Sequence, residues 1–295
     1  MGSTPPSPMK KKGKNTMLIA VVAIMVVVAL IAVVIMGGFL NAKAVTKTDS
    51  TLDRIRARGS IIMASEASFI PFEAYDPVNK SFYGFDIDLA NKIRENVSTI
   101  LNVSLTLDIR DVAFSGIPAS MGSNQYDMSI SGWTITDKRN ESMLFSTPYY
   151  LAEAGFGMLV KSDNTNLNTV DDLVNATSIV VNTGTTSAIW LEDNLIKTGK
   201  YSVDKVKYLP TIAGCVQDVQ IGQSQVFIID KPTAEEYADK DGSGLKVTAI
   251  IPSYEPYGVA LNKESHDLKT IIDLIINTMY ANGEMEQLRI KWGLN

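Results

Sequence analysis

Segments typical of strands alternate with segments typical of helices along most of this chain, from residue 60 to residue 282. Residues 105–109 alternate apolar and polar side chains, as a half-buried strand does, whereas residues 86–101 repeat apolar side chains at helical spacing. Repeated strand–helix units of this kind build sheets that are covered by helices. The alternation therefore predicts an α/β fold with mainly parallel sheets.

The same pattern predicts where the individual elements lie. The expected strands are Ser60–Ala64, Leu105–Ile109, Asp127–Ile130, Gly155–Val160, Ser178–Val181, Val206–Leu209, Val226–Ile229, Leu245–Ile250 and Tyr257–Leu261. The expected helices are Asp86–Leu101, Ile117–Met121, Thr169–Val174, Ser187–Leu195, Ala213–Ile221, Thr233–Ala238 and His266–Asn282. The chain exceeds one typical domain of about 100–150 residues, so we expect two lobes, one of residues 52–153 with 254–295 and one of residues 154–253. Two segments rich in small and aromatic residues, 149–157 and 252–258, are the expected crossings between them.

The N-terminal part differs from the rest of the chain. Residues 17–40 form a run of 24 residues without a charge, and a helix of that length spans about 36 Å, enough to cross a hydrocarbon core of about 30 Å. Four lysines between residues 10 and 14 precede the run, which favours a cytoplasmic tail over 1–16, a single transmembrane anchor over 17–40 and a linker over 41–51. The alternative is a cleaved secretory signal ending near Ala44, although signal peptides have shorter apolar cores. In both cases we expect the remainder on the extracellular or periplasmic side of the cell membrane.

The composition narrows the classes of partner and cofactor. All 32 acidic residues lie after residue 44, whereas five of the 27 basic residues lie before it, so the exported part is strongly acidic. An acidic surface argues against nucleic acid as a partner. Cys215 is the only cysteine and His266 the only histidine, and we therefore expect neither an intramolecular disulfide nor a zinc site. No phosphate-binding or dinucleotide-binding motif is present, and we expect no cofactor.

A loop of small and hydroxyl residues follows one of the predicted strands. Ser131, Gly132, Trp133 and Thr134 come directly after it, and Arg139 stands just beyond them. In open α/β sheets, ligands bind outside the carboxyl ends of the strands. An arginine fork matches a carboxylate with two parallel hydrogen bonds. The stretch therefore predicts a binding site for a ligand that carries a carboxylate.

Four further segments extend this pattern. They are Ser-Glu-Ala-Ser-Phe-Ile-Pro-Phe-Glu over 65–73, Gly-Phe-Asp-Ile-Asp-Leu-Ala over 84–90, Gly-Thr-Thr over 184–186, and a strand that ends in Asp230. Together with residues 131–139, they make the sequence resemble the extracytoplasmic solute-binding proteins of ABC importers, in the cluster that binds polar amino acids. The resemblance runs from residue 52 to Trp292. It implies a two-lobed α/β fold of the periplasmic-binding-protein type, with the ligand enclosed between the lobes and the predicted transmembrane helix in front.

The resemblance also implies roles for individual residues. Arg139 would pair with the α-carboxylate of a free amino acid, Thr134 and the Gly132 region would bond the same head group, and Thr186 would reach the carboxylate from the other lobe. Asp230 would take the α-ammonium, and Glu66 would face a cationic side chain. Aromatic rings would flank the ligand's side chain. The expected ligand-binding residues are Glu66, Phe69, Phe114, Ser131, Gly132, Trp133, Thr134, Arg139, Thr186, Ser187 and Asp230.

The function that the resemblance implies is that of a monomeric receptor and not of an enzyme. It would bind a free amino acid, with a polar or cationic side chain favoured, by hinge closure, and deliver it to an ABC permease and its ATPase. Two other classes remain open: a cyclohexadienyl (prephenate or arogenate) dehydratase-like enzyme, with Glu66 as the candidate acid, and a ligand-sensing ectodomain. Three residues also have structural alternatives, since Arg139 can pair with Glu141, Asp230 can cap a helix and Phe114 can belong to the core.

Overall fold

The computed structural model describes residues 50–152 and 155–294 of the chain. The predicted tail and anchor, and nearly all of the predicted linker, lie outside the described residues. Within those two described ranges, no helix is long and apolar enough to cross a membrane.

The described residues form strands and helices in alternation. The strands are β1 (Ser60–Ser65), β2 (Ser68–Phe69), β3 (Glu73–Asp76), β4 (Ser81–Tyr83), β5 (Thr106–Asp111), β6 (Met128–Ser129), β7 (Met143–Phe145), β8 (Tyr150–Ala152), β9 (Phe156–Lys161), β10 (Ile179–Asn182), β11 (Val206–Leu209), β12 (Val226–Asp230), β13 (Leu245–Ile251), β14 (Glu255–Tyr257) and β15 (Ala260–Asn262). The α-helices are α1 (Thr51–Arg58), α2 (Phe85–Leu101), α3 (Ile117–Gly122), α4 (Asp137–Asn140), α5 (Thr186–Leu191), α6 (Ile212–Gln220), α7 (Lys231–Asp239), α8 (His266–Asn282) and α9 (Glu284–Lys291). Short 3₁₀ turns lie at Phe114–Gly116, Val170–Asn175 and Val203–Lys205, and a π-helical turn at Glu192–Ile196 extends α5.

Two five-stranded sheets form the centres of two lobes. The first sheet has the strand order β5-β1-β6-β15-β7 and the second the order β11-β10-β12-β9-β13. Three strands of each sheet are parallel neighbours, namely β5, β1 and β6 in the first and β11, β10 and β12 in the second. The remaining pairings are antiparallel. Both sheets are thus mixed, and the parallel part that the sequence pattern predicts is the half that carries the strand–helix units.

The chain crosses between the sheets on two paired strands. Strand β8 leads from the first sheet to the second, β14 leads back, and the two pair antiparallel with Tyr150 opposite Tyr257. The returning chain supplies β15 to the first sheet. Both crossings fall in the segments where they are expected. The chain therefore passes beside the gap between the two sheets twice, which brings residues of β14 close to both lobes.

Helix packing follows the apolar periodicity of the sequence. Phe85, Leu89, Ile93 and Val97 recur every four residues along α2, and each is fully buried. This spacing places them on one face of the helix, which packs into the core of the first lobe. A residue at each of these positions therefore removes its whole side chain from water, which is worth about 1.5–3 kcal/mol for a large apolar group.

Several elements differ from the pattern-based expectation. The expected strand over 257–261 is two strands, β14 and β15, separated at Gly258, where a Cβ would lie 2.8 Å from Ile135 Cδ1. The expected helix over 169–174 is a 3₁₀ turn, although its capping box between Thr169 and Asp172 is present. Helix α9 was not expected. Its residues lack a clear apolar stripe in sequence, and packing against α8 and α2 supports it.

Candidate functional site

A cavity lies between the two sheets. The carboxyl ends of parallel strands from both sheets face it, as expected for α/β ligand sites. The residues that line it are Glu66, Phe69, Phe114, Ser131, Gly132, Thr134, Arg139, Asn182, Thr185, Thr186, Ser187, Ile212, Phe227, Ile229 and Asp230. Ten of the eleven residues predicted as ligand-binding are in this set, and Trp133 is the one that is not.

Arg139 lies at the cavity, and its guanidinium bonds carbonyl oxygens of two residues. Nη1 donates to the carbonyl oxygen of Thr134 at 2.8 Å and Nη2 to that of Gly184 at 3.1 Å, so the side chain joins the two lobes. Burial lowers its pKa to about 10, against the attraction of nearby carboxylates, and the group stays cationic at neutral pH. Its surface alternative does not occur, because Glu141 pairs with Lys138.

Two aromatic rings support the Arg139 guanidinium. The rings of Phe114 and Trp133 stack with centroids 4.0 Å apart, and the guanidinium carbon lies 5.3 and 4.9 Å from their centroids. The indole N–H of Trp133 donates to Ser129 Oγ at 2.8 Å. Trp133 is 1% exposed, and the structure places it behind Arg139 instead of in the lining. Phe114 is both a packing residue and a lining residue.

Ser131 and Gly132 form the wall of the cavity on the first lobe. Gly132 has a φ of +54°, and a Cβ there would lie 2.3 Å from Cε1 of Phe69. Only a residue without a side chain allows both this backbone and this ring position. The Ser131 hydroxyl accepts a hydrogen bond from the Glu66 N–H at 3.0 Å and donates one to the Glu73 carboxyl group.

A buried acid pair lies beneath this wall. Asp86 accepts hydrogen bonds from the Gly132 N–H at 3.0 Å and the Tyr149 hydroxyl at 2.9 Å. Glu73 bonds Asp86 and Ser131, and burial raises its pKa well above its usual range, with the charge of Asp86 adding to the effect. Burial also raises the pKa of Asp86, to about 6. Glu73 therefore carries the proton of the pair at neutral pH and donates it to Asp86.

Asp230 ends β12 at the opposite side of the cavity. The Tyr257 hydroxyl donates a hydrogen bond to its Oδ1. Burial raises the pKa of Asp230 to about 7, helped by the charge of Glu255 and opposed by the Tyr257 hydrogen bond and Arg139. Its side chain makes no capping bond to α7, so the helix-cap alternative does not account for this residue. A cation in the cavity would restore the charged form of the group.

Glu66 lies at the end of β1 and is 2% exposed. Its Oε1 accepts a hydrogen bond from the Ile212 N–H at 2.6 Å, which comes from the second lobe. Its Oε2 has no hydrogen-bond partner in the described residues, and the same holds for Oδ1 of neighbouring Asn182. Burial raises the pKa of Glu66 to about 7. This end of the cavity thus offers two buried oxygen acceptors to whatever binds there.

Thr134 and Thr186 face each other across the lobes, with their hydroxyl oxygens 3.4 Å apart. Both hydroxyls donate to Oε2 of Glu255, at 2.7 and 2.8 Å. Thr186 is the first residue of α5, which Thr185 caps through its hydroxyl. Ser187 bonds the same Thr185 hydroxyl at 3.0 Å. The two threonines and Ser187 are all at the cavity, as expected.

The sequence reasoning missed some residues of the site. Asn182, Thr185, Ile212, Phe227 and Ile229 line the cavity, and Glu255 and Tyr257 bond residues that do. Glu255 and Tyr257 fall within the crossing segment 252–258, and an acidic and a phenolic residue there were the available signal. Within the described ranges, no group of three or more His, Cys, Asp or Glu side chains is arranged to hold a metal ion.

Comparison with known proteins gives the family of this chain. The family model for bacterial extracellular solute-binding proteins, family 3, matches residues 61–295. The L-cystine-binding protein TcyJ of Escherichia coli K12 is 27% identical over 247 residues, covering 83% of this chain and 86% of TcyJ. The arginine-binding periplasmic protein of Mannheimia haemolytica is 28% identical over 244 residues, covering 81% and 93%.

A solved structure supports the same assignment. The ancestral amino acid-binding protein AncCDT-1, a precursor of cyclohexadienyl dehydratase, is similar with a TM-score of 0.69 and 29% identity, covering 82% of this chain and 99% of that one. The family match over residues 61–295 includes every segment that carried the sequence resemblance. The chain belongs to the bacterial extracellular solute-binding proteins of family 3.

Proposed function

We propose that this protein binds a free amino acid with a cationic side chain between its lobes and delivers it to an ABC importer. The observation that carries the choice of side chain is the pair of buried acceptors at the cavity, Glu66 Oε2 and Asn182 Oδ1, which lack a partner in the described residues. A buried acceptor without a donor costs about 1–3 kcal/mol, more when it is charged. A guanidinium or ammonium group would supply donors to both and a countercharge to Glu66.

The proposed head-group contacts use the other end of the cavity. Arg139 supplies the cation for the α-carboxylate, and Asp230 supplies the anion for the α-ammonium. The remaining predicted contacts are proposed as lining contacts, with Trp133 acting through Arg139. Two hydrogen-bonded charges at the head group and one at the side chain would give the ligand interactions with both lobes, so that binding stabilises the closed arrangement.

The names of the relatives support an amino-acid ligand and differ in which one. The Mannheimia protein is named for arginine, in agreement with a cationic side chain. TcyJ is named for L-cystine, which carries a second ammonium and a second carboxylate. The position of Glu66 favours the former, because a second carboxylate would meet an acidic side chain there.

The wider arrangement is part of the same proposal. The protein acts as a monomer outside the membrane, with lobes of residues 52–153 and 254–295 and of residues 154–253. Residues 1–16 form a cytoplasmic tail, 17–40 a single-pass anchor and 41–51 a linker, and the permease with its ATPase receives the ligand. The apolar run and the lysines before it support this orientation.

The test is calorimetric titration of the full-length protein, kept in mild detergent and refolded to remove any ligand that was carried along. We expect L-arginine or L-lysine to bind at least about tenfold more tightly than L-glutamine or L-cystine, since one desolvated ion pair exceeds 1.4 kcal/mol. Glu66→Gln should remove that preference, whereas the exposed Glu264→Gln should keep it. Equal affinities for arginine and glutamine in the wild type would contradict the cationic ligand, and the absence of binding to any amino acid would contradict the receptor function.

A dehydratase-like enzyme is a second candidate because of one observation. Glu66 has a pKa raised to about 7 and an unbonded Oε2 at the cavity, as a general acid requires. We propose the receptor over the enzyme because Glu66 Oε2 and Asn182 Oδ1 are both buried acceptors that lack a hydrogen-bond donor in the described residues. A cationic side chain of a ligand would supply donors to both. Turnover of prephenate or arogenate by the full-length protein, lost in Glu66→Gln, would reverse this choice.

A further inference from the structure

Glu255 stands apart from the predicted site because it bonds the site without lining it. It begins β14, the strand that returns from the second lobe, and is 3% exposed. The loop that carries Thr134 lies against β14, since the Ile135 N–H donates to the Pro256 carbonyl at 2.8 Å and the Gly258 N–H to the Trp133 carbonyl at 2.9 Å. This pairing places the Glu255 carboxylate directly behind Thr134.

Among the residues that the structure describes, every hydrogen-bond donor to this carboxylate is a hydroxyl group. Its Oε1 accepts from Ser253, and its Oε2 accepts from Thr134 at 2.7 Å and from Thr186 at 2.8 Å. Thr134 belongs to the first lobe and Thr186 to the second. One oxygen atom thus joins the two lobes through two charge-assisted bonds, which are stronger than bonds between neutral groups.

The two hydroxyls have a restricted choice of further partners. A threonine hydroxyl has one proton and two lone pairs. Since Thr134 and Thr186 both donate their proton to Glu255, each can only accept a hydrogen bond from a group in the cavity. They are thereby suited to the α-ammonium and not to the α-carboxylate, which differs from the role that the sequence resemblance implies for Thr186.

We propose that Glu255 is a positioning residue that sets the head-group specificity of this site: it takes the hydroxyl protons of Thr134 and Thr186 and leaves both oxygens as acceptors for the ligand's ammonium. This inference rests on the proposed function. The carboxylate of the ligand then depends on Arg139, while the ammonium has Asp230 and two hydroxyl oxygens.

The test compares three ligands in four forms of the full-length protein. The ligands are L-arginine, its carboxamide, which lacks the carboxylate charge, and its deamino analogue, which lacks the ammonium. The forms are the wild type, Glu255→Ala, Glu255→Gln and, as a control, the exposed Glu264→Gln. Dissociation constants are measured by calorimetry at neutral pH.

In Glu255→Ala the freed hydroxyls can donate to the ligand's carboxylate. We expect the ratio of the dissociation constants of the deamino analogue and L-arginine to be at least tenfold smaller in this variant than in the wild type. The ratio of the dissociation constants of the carboxamide and L-arginine should be larger. Glu255→Gln keeps an oxygen that accepts the hydroxyl protons and should stay within threefold of the wild-type ratios, as should Glu264→Gln. A Glu255→Ala protein with wild-type ratios would overturn the proposal, and a Glu255→Gln protein that behaves like Glu255→Ala would overturn the role of the hydroxyl protons.

A second measurement separates this proposal from the proposed function. The melting temperatures of Glu255→Ala, Thr186→Val and the double variant are compared without ligand, and we expect the two single effects to be non-additive because they remove the same bond. If the wild type binds no amino acid, the proposed function fails whatever the melting temperatures show. If it binds L-arginine and the effects add, the role of Glu255 alone fails.

Discussion

Acidification should weaken ligand binding through two carboxyl groups that line the cavity. Burial raises the pKa of Glu66 and of Asp230 to about 7. Each must be ionised to pair with a cationic group of the ligand. At about pH 8 most of each group is ionised, and at about pH 5 about one molecule in a hundred is. The same two groups therefore link binding to proton release.

The expected magnitude depends on how many of the two carboxyls the ligand uses. One carboxyl with a pKa of about 7 lowers the affinity about 100-fold between pH 8 and pH 5. L-Glutamine, with a neutral side chain, uses only Asp230 and should show this single factor. L-Arginine uses both groups and should show a loss steeper by up to another factor of about 100. The difference between the two ligands isolates Glu66.

The stability of the ligand-free protein should change with the opposite sign. Since the pKa of Glu66 is higher in the folded chain than its ordinary value of 4.5, the folded state binds more protons between about pH 4.5 and pH 7. The contribution of Glu66 to the free energy of unfolding is therefore present in full below about pH 4.5. It is lost as the pH rises through about 7. A rise from 4.5 to about 7 corresponds to about 3 kcal/mol.

The assay is calorimetric titration of both amino acids at four pH values, together with melting curves without ligand. In Glu66→Gln, the affinity for L-arginine should depend on pH as weakly as the affinity for L-glutamine does. The melting temperature without ligand should also change less with pH in this variant than in the wild type. The exposed Glu264→Gln should change neither. An arginine affinity that is constant within threefold from about pH 5 to pH 8 would refute the raised pKa values and the ionic roles that depend on them.

Three substitutions test other parts of the site. Arg139→Lys should weaken amino-acid binding at least about tenfold by calorimetry, because an ammonium group lacks the planar fork that reaches carbonyl oxygens of both lobes and presents two parallel N–H groups to a carboxylate; unchanged affinity would show that the fork is not used. Gly132→Ala should weaken binding and lower the melting temperature more than Gly222→Ala, since both have positive φ but only the former places a Cβ on Phe69; equal effects would contradict that argument. Glu73→Gln should keep the melting temperature within a few degrees, because the amide replaces the shared proton, whereas Glu73→Ala should lower it by several degrees for a loss of about 1–3 kcal/mol; similar values for both would exclude proton sharing.

Much of the site could be predicted from the sequence because many of its residues stand at the ends of strands, which the local pattern locates. Ser131, Gly132 and Thr134 follow a strand and Asp230 ends one, and strand ends meet at the edge of a parallel sheet. Residues such as Asn182 and Ile212 were missed because their contribution is an amide or a backbone N–H directed into the cavity. Nothing in a single sequence distinguishes such groups from their neighbours.

Some expectations were changed by tertiary contacts. Trp133 belongs to the predicted loop, yet its ring packs against Phe114 and Arg139. The hydrogen bond from its indole N–H to Ser129 Oγ holds the ring in this position. The strand expected over 257–261 divides at Gly258, where the chain passes too close to Ile135 for a side chain. The antiparallel strands of both sheets arise because the chain crosses between lobes and returns, which local periodicity does not record.

The sequence by itself determined the alternating elements, the two crossings and the charges available to a ligand, because these depend on side-chain type and spacing. Only the tertiary structure decided what those charges face. The raised pKa values of Glu66 and Asp230 come first from burial, and the protons of Thr134 and Thr186 are directed by Glu255, which is distant from both in sequence. Burial and hydrogen-bond direction are properties of the packed chain, and they decide whether a hydroxyl at this cavity donates or accepts.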